Sequence, residues 1–325
     1  MRRITAEIIV ALAAVATWGT PASADTCKDP AKALGVSRIV EIDTTNGPMF
    51  GSATKRDKEE NFLADDEVVL TFDDGPVPRV TGPILDILDE FCTKATFFPV
   101  GRMAFSYPAT LKEVVARGHT VGGHTWSHPN NLTRLSAEKA IDQIERGFAA
   151  LALAASTDIA PFFRFPGLND SDELLDYLAS RNIASFTVDV ISNDSYISNP
   201  RAIAERTLRL TSARKGGSIL LFHDLKRPTA RALPAILAGL KARGLKVVHL
   251  VPKTSMTPLA TLDAELQPVL AKARPGALKP IHGPPAEART REGGRPLVTT
   301  LAPEPRARGH ETQAAVEDMR TAGEP

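Results

Sequence analysis

Cysteine is nearly absent. The 325 residues contain two, Cys27 and Cys92, too few for a zinc ribbon or an iron–sulfur cluster, so any metal has to be held by histidine and carboxylate. Aromatic residues are sparse as well, 6% of the chain with two tryptophans, and neither sign of charge dominates: 39 basic side chains face 38 acidic ones. With no basic stripe and few rings for stacking bases, nucleic acid is excluded as a partner. Long apolar runs are missing too. The N-terminal one, residues 8–18, has 11 residues, where a membrane-spanning helix needs ~20.

That short run follows Arg2 and Arg3 and precedes Ala22-Ser23-Ala24, the pattern of a secretory signal peptide over residues 1–24. The expected location is therefore outside the cytosol, periplasmic or secreted. Removal of the signal leaves 37 basic and 37 acidic side chains, so net charge selects no polyanionic target. In an oxidising compartment Cys27 and Cys92 are candidates for one disulfide tying the N-terminus to the body. Two unrelated thiols, or a lipid-modified Cys27, are the other readings.

From residue 67 the chain becomes regular. Seven short apolar runs, beginning with Val68-Val69-Leu70-Thr71-Phe72, alternate with six helix-like segments; in the longest, Ile141, Ile144, Phe148 and Leu151 recur at helical spacing. Strand–helix alternation with such apolar strands predicts a parallel sheet covered on both faces, either a β/α barrel or an open doubly wound sheet. Residues 25–66 read as an N-terminal extension carrying one β-rich run, Arg38-Ile39-Val40-Glu41-Ile42. Residues 252–325 hold 11 of the 25 prolines with scattered charges, and read as a disordered tail with too little apolar surface to offset ordering entropy.

In α/β proteins functional residues gather at the carboxyl ends of strands. Thr71-Phe72-Asp73-Asp74-Gly75-Pro76 ends the first strand with paired carboxylates, and His124-Thr125-Trp126-Ser127-His128 ends the third with two imidazoles four residues apart. In a helical turn that spacing places both histidines on one face. With Asp74 they make a two-histidine, one-carboxylate set that leaves a divalent metal room for water. Arg164, Asp189 and His223 end later strands. They are the cation, carboxylate and third histidine that hydrolysis would still need to orient a base and to supply and orient an acid.

These residues resemble the five motifs of the polysaccharide deacetylases of carbohydrate esterase family 4. Residues 71–75 are similar to the first motif, 124–128 to the second, 164–167 to the third, 189–196 to the fourth and 221–224 to the fifth, with Ala95-Thr96-Phe97-Phe98-Pro99-Val100-Gly101 similar to the family's second strand. The resemblance implies a distorted (β/α)7 barrel over residues 67–251 and metal-dependent removal of acetyl groups, N-linked or O-linked, from a carbohydrate. It further implies Asp73 as base, Asp74, His124 and His128 as ligands of one divalent ion, Arg164 as partner of Asp73, His223 as acid and Asp189 as its partner. Zinc fits this donor set, as do cobalt, nickel and manganese. Two departures stand out: Gly167 replaces the aromatic residue whose amide helps hold the oxyanion, and Asp194-Ser195-Tyr196 replaces the Asp-Trp of the fourth motif. The thinned aromatic surface keeps two alternatives open, hydrolysis of a non-carbohydrate amide on the same barrel and a metal-retaining sugar-binding protein without catalysis.

Overall fold

The computed structural model describes Cys27 and residues 29–274; the signal peptide read at residues 1–24 and the tail from 275 onward lie outside the described residues. Strands β1 (Arg38–Ile42), β2 (Met49–Phe50) and β3 (Glu59–Glu60) precede β4 (Glu67–Asp73). There follow α1 (Pro78–Glu90), β5 (Thr96–Phe98), α2 (Gly101–Ser106), α3 (Pro108–Ala116), β6 (Thr120–Val121), α4 (Ala137–Ala155) and β7 (Phe162–Phe163). The rest is α5 (Asp172–Ser180), β8 (Ala184–Phe186), β9 (Val190–Ile191), α6 (Pro200–Ala213), β10 (Ser218–His223), α7 (Arg227–Ala242), β11 (Lys246–Pro252) and α8 (Ala260–Lys272).

Every ladder between these strands is parallel. Pairing runs from β4 to β5 and β6, crosses a Gly123–Phe163 bridge to β7, and continues to β8. Three residues beyond β8, β9 pairs with β10, which returns to β4. Among the described residues the strands fall into a seven-stranded and a four-stranded sheet joined by that single bridge, the all-parallel α/β arrangement expected of a distorted (β/α)7 fold. Successive side chains of a strand point to opposite faces, so β4 sends Leu70 and Phe72 toward the helices, where they join Ile84, Leu85, Phe148 and Leu233. Val69 points the other way, into a cluster with Phe98, Phe162, Phe186, Ile219 and Leu221. The expected helical stripe of α4 holds, with Ile144, Phe148 and Leu151 fully buried.

Two boundaries differ from the sequence reading. The N-terminal extension is not an appendage: β1 pairs along its whole length with β11, and β2 lies between β8 and β3. The chain after Val251 does not become irregular at once, because α8 packs on α4, buries Leu266 and sets Glu265 2.8 Å from Arg146. Cys27 and Cys92 form a disulfide across 65 residues, which excludes the two-thiol and lipid-anchor readings. Among the described residues no helix is long and apolar enough to cross a membrane.

Candidate active site

Strand parity puts the chemistry inside the barrel. Asp73 lies four residues after Val69, His223 two after Leu221 and Arg164 two after Phe162, so all three share the faces that build the inner cluster. In the register of β4 and β10, Asp73 and His223 stand opposite one another. Asp74, with a φ of 77°, then turns the chain away from β4, so neighbouring carboxylates reach different partners through a left-handed residue and not through extended alternation. Gly75 is required beside it. A Cβ there would run into the carboxylate of Asp224, which instead accepts the Gly75 amide at 2.8 Å and the Thr81 hydroxyl at 2.7 Å. Burial, against the opposing Thr81 hydrogen bond and with the help of the Asp74 charge, pushes Asp224 up to about 7.

One carboxylate oxygen of Asp74 stands 3.4 Å from Nε2 of His124 and 3.4 Å from Nε2 of His128. The three side chains offer ligand atoms that all lie within 4.8 Å of one another. The Arg164 carbonyl can only accept, so His124 Nδ1, 2.7 Å from it, carries the proton and Nε2 keeps its lone pair toward the trio. Burial raises the pKa of Asp74, but the imidazoles of His124 and His128 beside it and the charge of His223 outweigh burial, holding the carboxylate well below its ordinary value. The histidines do not meet on a helical turn as their spacing predicted. They come together on a loop where Thr125 and His128 take positive φ and the Thr125 hydroxyl accepts the His128 amide at 2.9 Å. Two imidazoles and a carboxylate, buried and convergent, are a donor set that fits a divalent ion.

The other carboxylate has a different partner. Arg164 is fully buried and its Nη1 donates to Asp73 at 2.8 Å and to the Thr71 hydroxyl at 2.7 Å. Its Nε and Nη2 donate to the carbonyls of Phe186 and Thr187, and its guanidinium lies 4.3 Å over the Phe98 ring. Burial lowers the guanidinium pKa, opposed by the Asp73 charge and hydrogen bond.

His223 Nδ1 lies 2.7 Å from Asp194 Oδ1, while Asp194 Oδ2 accepts the His223 amide at 2.8 Å and the Thr229 hydroxyl at 2.6 Å. Burial alone would lower the imidazole's pKa; the charge and hydrogen bond of Asp194, with Asp74 and Asp73 beyond, push it up to about 9. The sequence reading named Asp189 for this place, and the structure corrects it. Asp189 accepts the Ile219 amide at 2.8 Å, the Ser52 hydroxyl at 2.6 Å and Arg214 at 3.0 Å. Ile219 is four residues before His223 on β10, about 13 Å along a strand, so Asp189 is held at the wrong end. The displaced Asp194-Ser195-Tyr196 signal was the one pointing to Asp194. Thr71 and Asp224, which bind Arg164 and Gly75, lie within the first and fifth motifs, but motif reading gave them no role.

Gly167 lies exposed in a short 3-10 turn, Pro166–Leu168, directly after Arg164 and Phe165. Its φ of 63° suits glycine.

The polysaccharide deacetylase family model matches residues 62–185. A chitooligosaccharide deacetylase of Sinorhizobium fredii is 30% identical over 199 residues, 57% of this chain and 90% of that protein. A peptidoglycan-N-acetylmuramic acid deacetylase of Bacillus subtilis is 34% identical over 195 residues, 59% of this chain and 39% of that protein. The solved structure of a peptidoglycan deacetylase from Bdellovibrio bacteriovorus aligns at a TM-score of 0.60 with 30% identity, covering 67% of this chain and 59% of that one. The chain belongs to the polysaccharide deacetylase family, whose members use a divalent metal. It spans about two-fifths of the length of the Bacillus relative.

Proposed function

We propose that this protein is an exported, zinc-dependent hydrolase that removes N-acetyl groups from a cell-wall or chitin-type sugar. The observation that carries the reading is the meeting, at adjacent strand ends, of three buried units: the Asp74, His124, His128 donor set, the Asp73–Arg164 pair and the His223–Asp194 pair. A non-catalytic binding protein has no use for the last two.

A zinc ion held by Asp74, His124 and His128 would supply Lewis acidity toward the acetyl carbonyl and a lowered pKa for water. Asp73 accepts the proton of the attacking water as general base, with Arg164 fixing its carboxylate so that one oxygen stays turned to the reaction. The Gly167 amide donates to the developing oxyanion. His223, held protonated by Asp194, gives its Nε2 proton to the departing amine. That the relatives are a peptidoglycan-N-acetylmuramic acid deacetylase and a chitooligosaccharide deacetylase supports the substrate class. The disulfide and the signal-like residues 1–24 support export.

Trp126 is half-buried and packs edge-on against Phe105 at 5.4 Å, whereas Tyr196, two residues from Asp194, is 86% exposed. Tyr196 is therefore the ring offered to a sugar near the acid. The exposed Gly167 turn, without an aromatic wall, favours as second reading a non-carbohydrate amide. Acetate release from chitin oligomers, peptidoglycan, acetylated xylan and a small acetamide, with and without chelator, separates the two. The proposal expects chelator-sensitive, zinc-restored release from the N-acetylated sugars, and fails if only the small amide reacts or chelation has no effect.

A further inference from the structure

We propose that Arg56 and Glu59 are positioning residues for the acyl-transfer site, an inference that rests on the deacetylase reading above. Both precede the residues matched by the family model, which begin at 62, yet both hold parts of the site. Arg56 reaches across more than a hundred residues: Nε and Nη2 donate to one oxygen of Asp170 at 3.0 and 2.6 Å, and Nη1 donates to Asp172. The Asp170 side chain is buried, 7% exposed. It lies three residues after Gly167, just beyond a turn in an uncommon conformation, with Gly167 at φ 63° and Leu168 at φ 57°. A branched side chain such as leucine resists positive φ, so the turn needs an external hold. The Arg56 fork supplies it.

Glu59 does the same for Arg164. Its Oε2 accepts the Arg56 amide at 3.2 Å, and its Oε1 accepts the Thr54 hydroxyl and lies 3.1 Å from the Thr187 hydroxyl. Thr187 in turn donates its amide to Phe50 at 2.7 Å and receives Arg164 Nη2 on its carbonyl at 3.2 Å. The backbone lies so close here that a Cβ on Gly51 would sit 2.7 Å from the Thr187 carbonyl carbon. Residues 50–59 thus form a strap seated against the residue whose carbonyl fixes Arg164 and against the aspartates that follow the Gly167 turn.

The test compares Arg56→Ala, Arg56→Lys and Asp170→Asn with the full-length wild type. Arg56→Ala is expected to keep its zinc, lower kcat for acetate release at least ten-fold and leave KM within two-fold. Arg56→Lys, a single ammonium in place of a fork, should recover part of that loss. Asp170→Asn should resemble Arg56→Ala, with the double variant no worse than either, as a shared interaction demands. Hydrogen exchange should quicken at least ten-fold in residues 167–170 of Arg56→Ala and stay unchanged in 124–128. Turnover within two-fold of wild type, or unaltered exchange at 167–170, overturns the proposal. A wild type that releases acetate from no substrate refutes the deacetylase reading instead, and the exchange measurement still decides the role of Arg56.

Discussion

His223 and its carboxylate show how little of a site's electrostatics depends on the reactive residue itself. A buried imidazole without a partner would be neutral at physiological pH; with Asp194 at 2.7 Å it is held protonated up to about 9. Activity that needs the imidazolium should therefore persist to about pH 9 and fall above it. In Asp194→Asn the raising charge is gone, so the alkaline limb of the kcat profile should move toward lower pH, whereas Asp189→Asn should leave it in place. A shift in the second variant alone would reverse our assignment. His119 and His249 illustrate the opposite case. Both are buried, and burial first and the Lys94 charge second keep them below the ordinary histidine value, His249 at about 4. Between about pH 6.5 and pH 4 the unfolded chain takes up a proton that folded His249 refuses, so stability falls as pH drops through that window. The loss from His249 is on the order of 3 kcal/mol. His249→Gln should flatten the dependence of Tm on pH between 4 and 6.5; a curve as steep as wild type would assign the acid sensitivity elsewhere.

At the scale of elements, what was legible in the sequence is what is local. Asp73 and Asp74, His124 and His128, Arg164 and His223 each sit at the end of an apolar run, and strand parity does the rest. β2 and β3 have two residues each, too few to show a period of two, so the segment carrying them read as an extension. Their places depend on contacts with residues more than a hundred positions away, such as Thr187 and Asp170, which no local pattern encodes. α8 was hidden for another reason: its Pro268 and its proline-rich surroundings made composition speak for disorder. A chain ending at residue 251 should unfold at lower temperature than one ending at 274. Leu266→Ala should reproduce part of that loss, about 2 kcal/mol for a buried leucine at the edge of a core. Equal melting temperatures for the two truncations would mean that α8 contributes nothing. The disulfide acts on the unfolded chain. Closing 65 residues between Cys27 and Cys92 stabilises by about 4 kcal/mol in the chain-entropy model, and denaturant midpoints with and without reductant measure it.

Over the whole molecule, the barrel keeps two neighbouring carboxylates on separate tasks. Asp74 is turned to the histidines and Asp73 to Arg164, and the account stands on that division. The measurement that tests it most directly is metal content beside acetate release for Asp73→Asn and Asp74→Ala. Removing the Asp74 carboxylate should lower both bound divalent metal and turnover. Asp73→Asn keeps the shape of the side chain but cannot take the water's proton, so bound metal should remain at the wild-type level while the rate falls ~10²- to 10⁴-fold, the usual contribution of a positioned base. Full activity in Asp73→Asn would contradict the assignment of the base and with it the proposed mechanism.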